Sequence, residues 1–206
     1  MSEKTTNSEF PDAIGFVTIR ESRPSVLLGV SGGVAAYKAV DLASRLTALG
    51  ASVKTVMTEN ACRFVGAKSF EAVTRSAVFS SMWSPPEEHD STHISFVDWA
   101  DIFVVAPATA NTIGKAANGI ADDLLSTTLC AGWRKAILMA PSMNCNMWAN
   151  PAVQRNVQTL KDSGVSLVGP MEGRLANGAV GTGRMAEPGD ILAAIYNNDS
   201  NDDGRG

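Results

Sequence analysis

Cysteine is scarce in this 206-residue chain: Cys62, Cys130 and Cys145 are the only three, and no two form a Cys-x-x-Cys pair. This excludes a disulfide framework or a zinc ribbon, leaves no metal expected, and suits a reducing cytoplasm, the expected location. Charge is also sparse. Charged residues make up 18% of the chain and acids outnumber bases 21 to 17, for a net charge of −4. There is thus no electrostatic footprint for nucleic acid or an anionic membrane surface. Apolar runs stop at about six or seven residues, far short of the ~20 that span a bilayer. Residues 1–20 lack the apolar core of a secretory signal. With 45% hydrophobic residues, the chain reads as one soluble globular domain with a full core.

Residues 1–22 and 197–206 are polar and aperiodic and read as disordered tails around a body at 23–196. The body alternates short apolar runs with helical stretches. Ser25–Val30 reads as a buried strand, followed by a helix from about Val34 to Leu49 that Gly50 stops. Ser52–Met57, Ile102–Ala106, Ala136–Ala140 and Val165–Val168 read as further strands. Helices are expected at Pro151–Ser163, with Asn150 as N-cap, and at Pro188–Tyr196. This order predicts a doubly wound α/β domain with a mostly parallel sheet, whose ligands sit beyond the carboxyl ends of the strands.

The segments just past the strand ends are therefore informative. After the first strand comes Ser31-Gly32-Gly33-Val34-Ala35-Ala36-Tyr37-Lys38, small residues leading into a helix, where backbone N–H groups can approach a phosphate. It is neither a GxGxxG fingerprint nor a Walker A loop, and a glycine turn that only packs helix on sheet is the alternative. After the second come Thr58, Glu59 and Asn60, a helix cap or a ligand contact. Pro107-Ala108-Thr109-Ala110-Asn111-Thr112 succeeds the third, as a capped helix start or a second wall of the same crevice. Pro141-Ser142-Met143-Asn144-Cys145-Asn146-Met147-Trp148 succeeds the fourth. Its polarizable and aromatic groups suit a flat ring or a thiol, and an asparagine amide can donate to a carboxylate.

Together SGGVAAYK, PATANTIGKAANGIADDLL, PSMNCNMW and GTGRMAEP resemble the flavin-containing cysteine decarboxylases, closest to their phosphopantothenoylcysteine decarboxylase branch. The likeness covers about residues 24–195, and PSMNCNMW fits the family's PxMNxxMW pattern at each specified position. It implies a Rossmann-like, flavodoxin-like fold, bound FMN, and trimers, or dodecamers of trimers, with active sites at subunit contacts. By motif position Ser31, Gly32, Gly33, Val34, Ala35, Thr58, Asn60, Thr109, Ala110, Asn111, Thr112 and Ser142 would hold the flavin. Asn144 and Met147 would face the substrate, with Asn144 on its carboxylate.

The chain has only two histidines. His93, in HISFVDWAD, matches the family's catalytic histidine, whereas His89 reads as a solvated loop residue. Residues 170–188 resemble the family's substrate flap, in which Arg174, Leu175, Ala176 and Met185 would touch substrate. Asn177 stands where the coenzyme A branch has its proton-donor cysteine, and an amide cannot supply that proton near neutral pH. Cys145 is a nearby thiol at a variable motif position.

The resemblance implies a carboxy-lyase that converts 4'-phosphopantothenoylcysteine to 4'-phosphopantetheine in coenzyme A biosynthesis. The substrate thiol is oxidised to a thioaldehyde, which loses CO2 to give an enethiol that is then reduced. About 200 residues hold only the decarboxylase half of the fused enzymes. One alternative is a peptidyl-cysteine oxidative decarboxylase that stops at the enethiol; another is a flavin-binding regulatory subunit without turnover. Flavin prenyltransferases share the fold but lack the PxMNxxMW combination.

Overall fold

A computed structural model describes residues 23–83, 92–176 and 178–196; the two expected tails, His89 and Asn177 lie outside the described residues. In chain order the elements are β1 (Ser25–Val30), α1 (Ala36–Ala48), β2 (Ser52–Met57), one-turn α2 (Glu59–Cys62), α3 (Ala67–Thr74) and β3 (Val78–Phe79). Next come α4 (Thr92–Trp99), β4 (Ile102–Ala108), α5 (Ala110–Ala117), α6 (Leu124–Ala131), β5 (Ala136–Pro141) and one-turn α7 (Cys145–Trp148). The chain continues through α8 (Pro151–Asp162), β6 (Ser166–Leu167), β7 (Met171–Arg174), β8 (Val180–Arg184) and α9 (Pro188–Tyr196).

Six strands form one sheet in the order β3-β2-β1-β4-β5-β6, and every pairing is parallel. Parallel strands have helices on both faces, which explains their unbroken apolar runs. Along β1, Val26, Leu28 and Val30 pack with Ala39, Leu42, Ala43 and Leu46 of α1 and Ile191 and Ile195 of α9. Leu27, together with Phe103 and Val105 of β4, packs on the opposite face with Ile113 of α5, Leu125 and Leu129 of α6, and Leu160 of α8. Each such side chain contributes about 1.5–3 kcal/mol by leaving water. The α1 residues recur at the three- and four-residue spacing of one helix stripe.

The expected Rossmann-like, doubly wound fold is what the chain adopts. β1, β2 and α9 begin and end where the sequence places them. β4 runs on to Ala108 and β5 to Pro141, whereas the first helix starts at Ala36, two residues later than expected. The strand expected over 165–168 pairs only through Ser166 and Leu167. Asn150 caps α8 as expected, its Oδ1 accepting from the Ala152 N–H at 2.8 Å. The flap region contains an antiparallel hairpin, β7–β8, outside the main sheet.

Candidate functional site

The strand order reverses direction at β1, whose two neighbours are β2 and β4, so the loops after β1 and β4 diverge and leave a crevice. Ser31, buried directly after β1, ties these loops together. Its Oγ donates to the Pro107 carbonyl at 2.7 Å and accepts from the Thr109 N–H at 3.0 Å. Thr109 then caps α5, with its Oγ1 facing the Thr112 N–H. Gly32 is required by a close approach: a Cβ there would overlap Asn60 of α2. Thr58 caps α2, its Oγ1 accepting from the Ala61 N–H at 3.2 Å. Thr58 also borders the crevice.

The crevice has two lobes. The smaller, about 360 Å³, is polar and is lined by Ser31, Gly32, Thr58, Glu59, Asn60, Thr109, Asn111, Thr112, Lys115 and Asp123. Lys115 Nζ lies 2.6 Å from carboxylate oxygens of both Asp122 and Asp123. Burial pulls its pKa down, but the hydrogen bonds it donates to the two aspartates, with their charges, outweigh this and leave it raised. The larger lobe, about 800 Å³, is mostly apolar. Gly33, Val34, Ala35, Ala110 and Ser142 line it together with Asn144 and Met147, and with Arg174, Leu175, Ala176 and Met185 from the flap. Sequence reasoning did not select Tyr37, Lys38, Phe64, Met143, Gly183 and Arg184, which also line it. Lys38 and Arg184 stand inside two motifs already singled out, SGGVAAYK and GTGRMAEP; nothing local to Phe64 signals its place.

The lobes suit a phosphorylated cofactor carrying a flat ring. The polar lobe offers four hydroxyl side chains and two asparagine amides. The adjoining N-terminus of α1 has no side-chain cap. The N–H groups of Gly33, Val34 and Ala35 have no hydrogen-bond acceptor among the described residues, and such donors favour an anion.

Asn144 is held by its own fold position. As N-cap of α7, it accepts the Asn146 N–H on Oδ1 at 2.9 Å. A cap needs the oxygen, so the NH2 end of the amide is left to face the lobe. The flap docks beside it: the Met143 N–H donates to the Gly183 carbonyl at 2.9 Å. A Cβ at Gly183 would overlap the Met143 carbonyl. At the flap's far end Glu187 pairs with Lys38 at 2.8 Å and with Arg184 at 3.5 Å. The Lys38 hydrogen bond, against partial desolvation, holds the Glu187 carboxyl below the usual range.

Thus every expected cofactor and substrate residue borders one lobe or the other, and the expected proton-donor position, Asn177, lies outside the described residues. His93 does not. It sits partly exposed at the start of α4, which packs against α6, and lines neither lobe of this chain. Among the described residues no helix is long and apolar enough to cross a membrane.

A family profile described as Flavoprotein matches residues 18–199. The coenzyme A biosynthesis bifunctional protein CoaBC of Bacillus subtilis (strain 168) is 49% identical over 168 residues, 82% of this chain and 41% of the relative. The chain therefore spans about two fifths of the length of the curated relatives it matches. Among solved structures, a cysteine-to-serine PPC decarboxylase mutant complexed with pantothenoylaminoethenethiol superposes with a TM-score of 0.77 at 36% identity. That match covers 83% of this chain and 95% of the other. The FMN-dependent cysteine decarboxylase SpaF gives a TM-score of 0.71 at 34% identity, covering 84% and 98%. The chain belongs to the Flavoprotein family, among the flavin-containing cysteine decarboxylases.

Proposed function

We propose that the chain binds FMN and decarboxylates 4'-phosphopantothenoylcysteine to 4'-phosphopantetheine in coenzyme A biosynthesis. The observation that carries this is the two-lobed crevice, polar at the strand ends and apolar under the flap, lined by the residues the motifs selected. The 36% identity to a PPC decarboxylase over 95% of its length supports the same reading. When bound, FMN supplies a two-electron acceptor at the carbon that bears the substrate sulfur.

The chain's own residues then have separable tasks. Gly33, Val34 and Ala35 offer their N–H groups to the phosphate side of the cofactor, and Ser31, Gly32, Thr58, Asn60, Thr109, Ala110, Asn111, Thr112 and Ser142 complete the flavin site. Asn144 donates from its NH2 to the substrate carboxylate and Met147 packs on the thiol-bearing carbon. Arg174, Leu175, Ala176 and Met185 close the flap and exclude water. His93 takes the thiol proton. Because it lines neither lobe of its own chain, it serves the crevice of a neighbouring copy in a trimer or dodecamer.

His93→Asn should retain the yellow cofactor and lose turnover; a variant that loses flavin on purification would make the residue structural. Asn144→Asp should still cap α7 but repel the carboxylate, so unchanged turnover would remove it from this role. One sequence feature favours the peptidyl-cysteine alternative, Asn177 in place of an acid. Product mass separates the two readings: loss of CO2 alone means the saturated thiol, whereas loss of CO2 and two hydrogens means a released enethiol.

A further inference from the structure

The larger lobe has a distinct charge for a chain of net charge −4. Lys38, Arg174 and Arg184 line it, and no aspartate or glutamate does among the described residues. Two of these cations meet at one point outside the lining, the Glu187 carboxylate, 2.8 Å from Lys38 Nζ and 3.5 Å from Arg184 Nη2. Lys38 lies on the first turn of α1 and Arg184 at the end of β8, so Glu187 fixes cations from two separate elements on one wall. The Lys38 side chain is only 13% exposed, so its charge is felt across the lobe more strongly than a solvated one. An ammonium has three N–H donors and a guanidinium five. The ion pair with Glu187 therefore leaves most of these donors free.

Resting on the function proposed above, we propose that Lys38 and Arg184, oriented by Glu187, form the receptor for the phosphate ester at the distal end of the substrate. The substrate in that reading has two anionic ends. A neutral amide, Asn144, meets the one that must leave as CO2. The paired cations meet the one that never reacts. That division suits the chemistry, because a full positive charge beside the carboxylate would stabilise the ground state that decarboxylation has to leave. Lys38 and Arg184 are thus binding residues that set specificity and take no part in bond making.

The test compares the FMN-loaded enzyme and its variants on phosphopantothenoylcysteine and on the same compound without its phosphate, with CO2 release as the readout. Lys38→Met should raise KM for the phosphorylated substrate about tenfold with little change in kcat. The preference for the phosphorylated substrate should fall by a similar factor. Lys38→Arg should restore that preference, and Arg184→Gln should reproduce the loss in part. Inorganic phosphate should compete with the phosphorylated substrate on the unmodified enzyme and less well on Lys38→Met. Equal losses on both substrates, or a fall in kcat alone, would overturn the receptor while leaving the decarboxylase reading intact. An unmodified enzyme that acts on a cysteine-ending peptide and on neither of these two compounds would overturn both.

Discussion

The carboxyl end of the sheet and the β7–β8 hairpin face each other across one crevice, yet they are held in place by different forces. All seven residues of β4 are buried, and the strand is fixed by packing on both faces. In the hairpin, only Gly183 is buried in β8 and none is buried in β7. It is positioned by the Met143–Gly183 hydrogen bond, by glycines that let β8 lie against the Met143–Cys145 segment, and by the ion pairs of Glu187. A floor built by burial holds reacting groups in place. A cover built from a few polar contacts can lift at small cost, as substrate entry requires.

Truncation on the floor should have the largest effect. Phe103 is 1% exposed, and its ring presses on Gly132. Phe103→Ala should cost about 3–5 kcal/mol in urea denaturation. The matching cut in the cover, Val180→Ala, removes a side chain that is 72% exposed and should stay within about 0.5 kcal/mol. Similar losses at the two sites would erase the contrast.

The next effect lies where floor and cofactor site join. Ser31→Ala removes both a donor to Pro107 and an acceptor for the Thr109 N–H. It should cost about 1–3 kcal/mol and lower FMN retention through dialysis, because the α5 cap shifts with Thr109. A variant that is less stable but binds flavin as tightly would confine Ser31 to the fold.

Gly183→Ala tests the cover directly. Its added Cβ would overlap the Met143 carbonyl, and the local answer is for β8 to lift. The variant should keep its unfolding free energy in urea to within about 1 kcal/mol, while proteolysis within residues 171–184 speeds up and KM rises. Global destabilisation without faster local cleavage would mean that the hairpin is part of the floor.

The same contrast explains which elements were legible in the sequence. β1 was readable to the residue because SVLLGV is a short apolar run closed by Ser31 and Gly32, and β2 because the β-branched and apolar residues of SVKTVM lie between the helix stop at Gly50 and the cap at Thr58. The short pairings were not. Val78–Phe79 pairs only two residues with β2, too few for a periodic signal, and β7–β8 is rich in glycine with little alternation. Residues selected by motif all line the crevice where they are described, apart from His93. Its motif carries no trace of this placement, at the start of α4 and away from both lobes. Phe64, two residues past α2, was missed as well: it lines the lobe, and nothing beside it in sequence signals that position.

The smallest expected effect concerns the tether between cover and floor. The Glu187 carboxyl is held below the ordinary glutamate range, chiefly by the Lys38 hydrogen bond. A group with a lowered folded pKa stabilises the fold above its unfolded value and loses that contribution as pH falls through the folded one. The Glu187 side chain is 49% exposed, so solvent screening limits the gain to less than about 1 kcal/mol. Glu187→Gln should therefore fall slightly below the unmodified protein in urea stability at about pH 7. The gap should hold under mildly acidic conditions and should close on acidification through and below the usual carboxylate range. A gap that persisted or widened in acid would show that Glu187 holds the hairpin base by packing, and the cover would then be anchored by the same force as the floor.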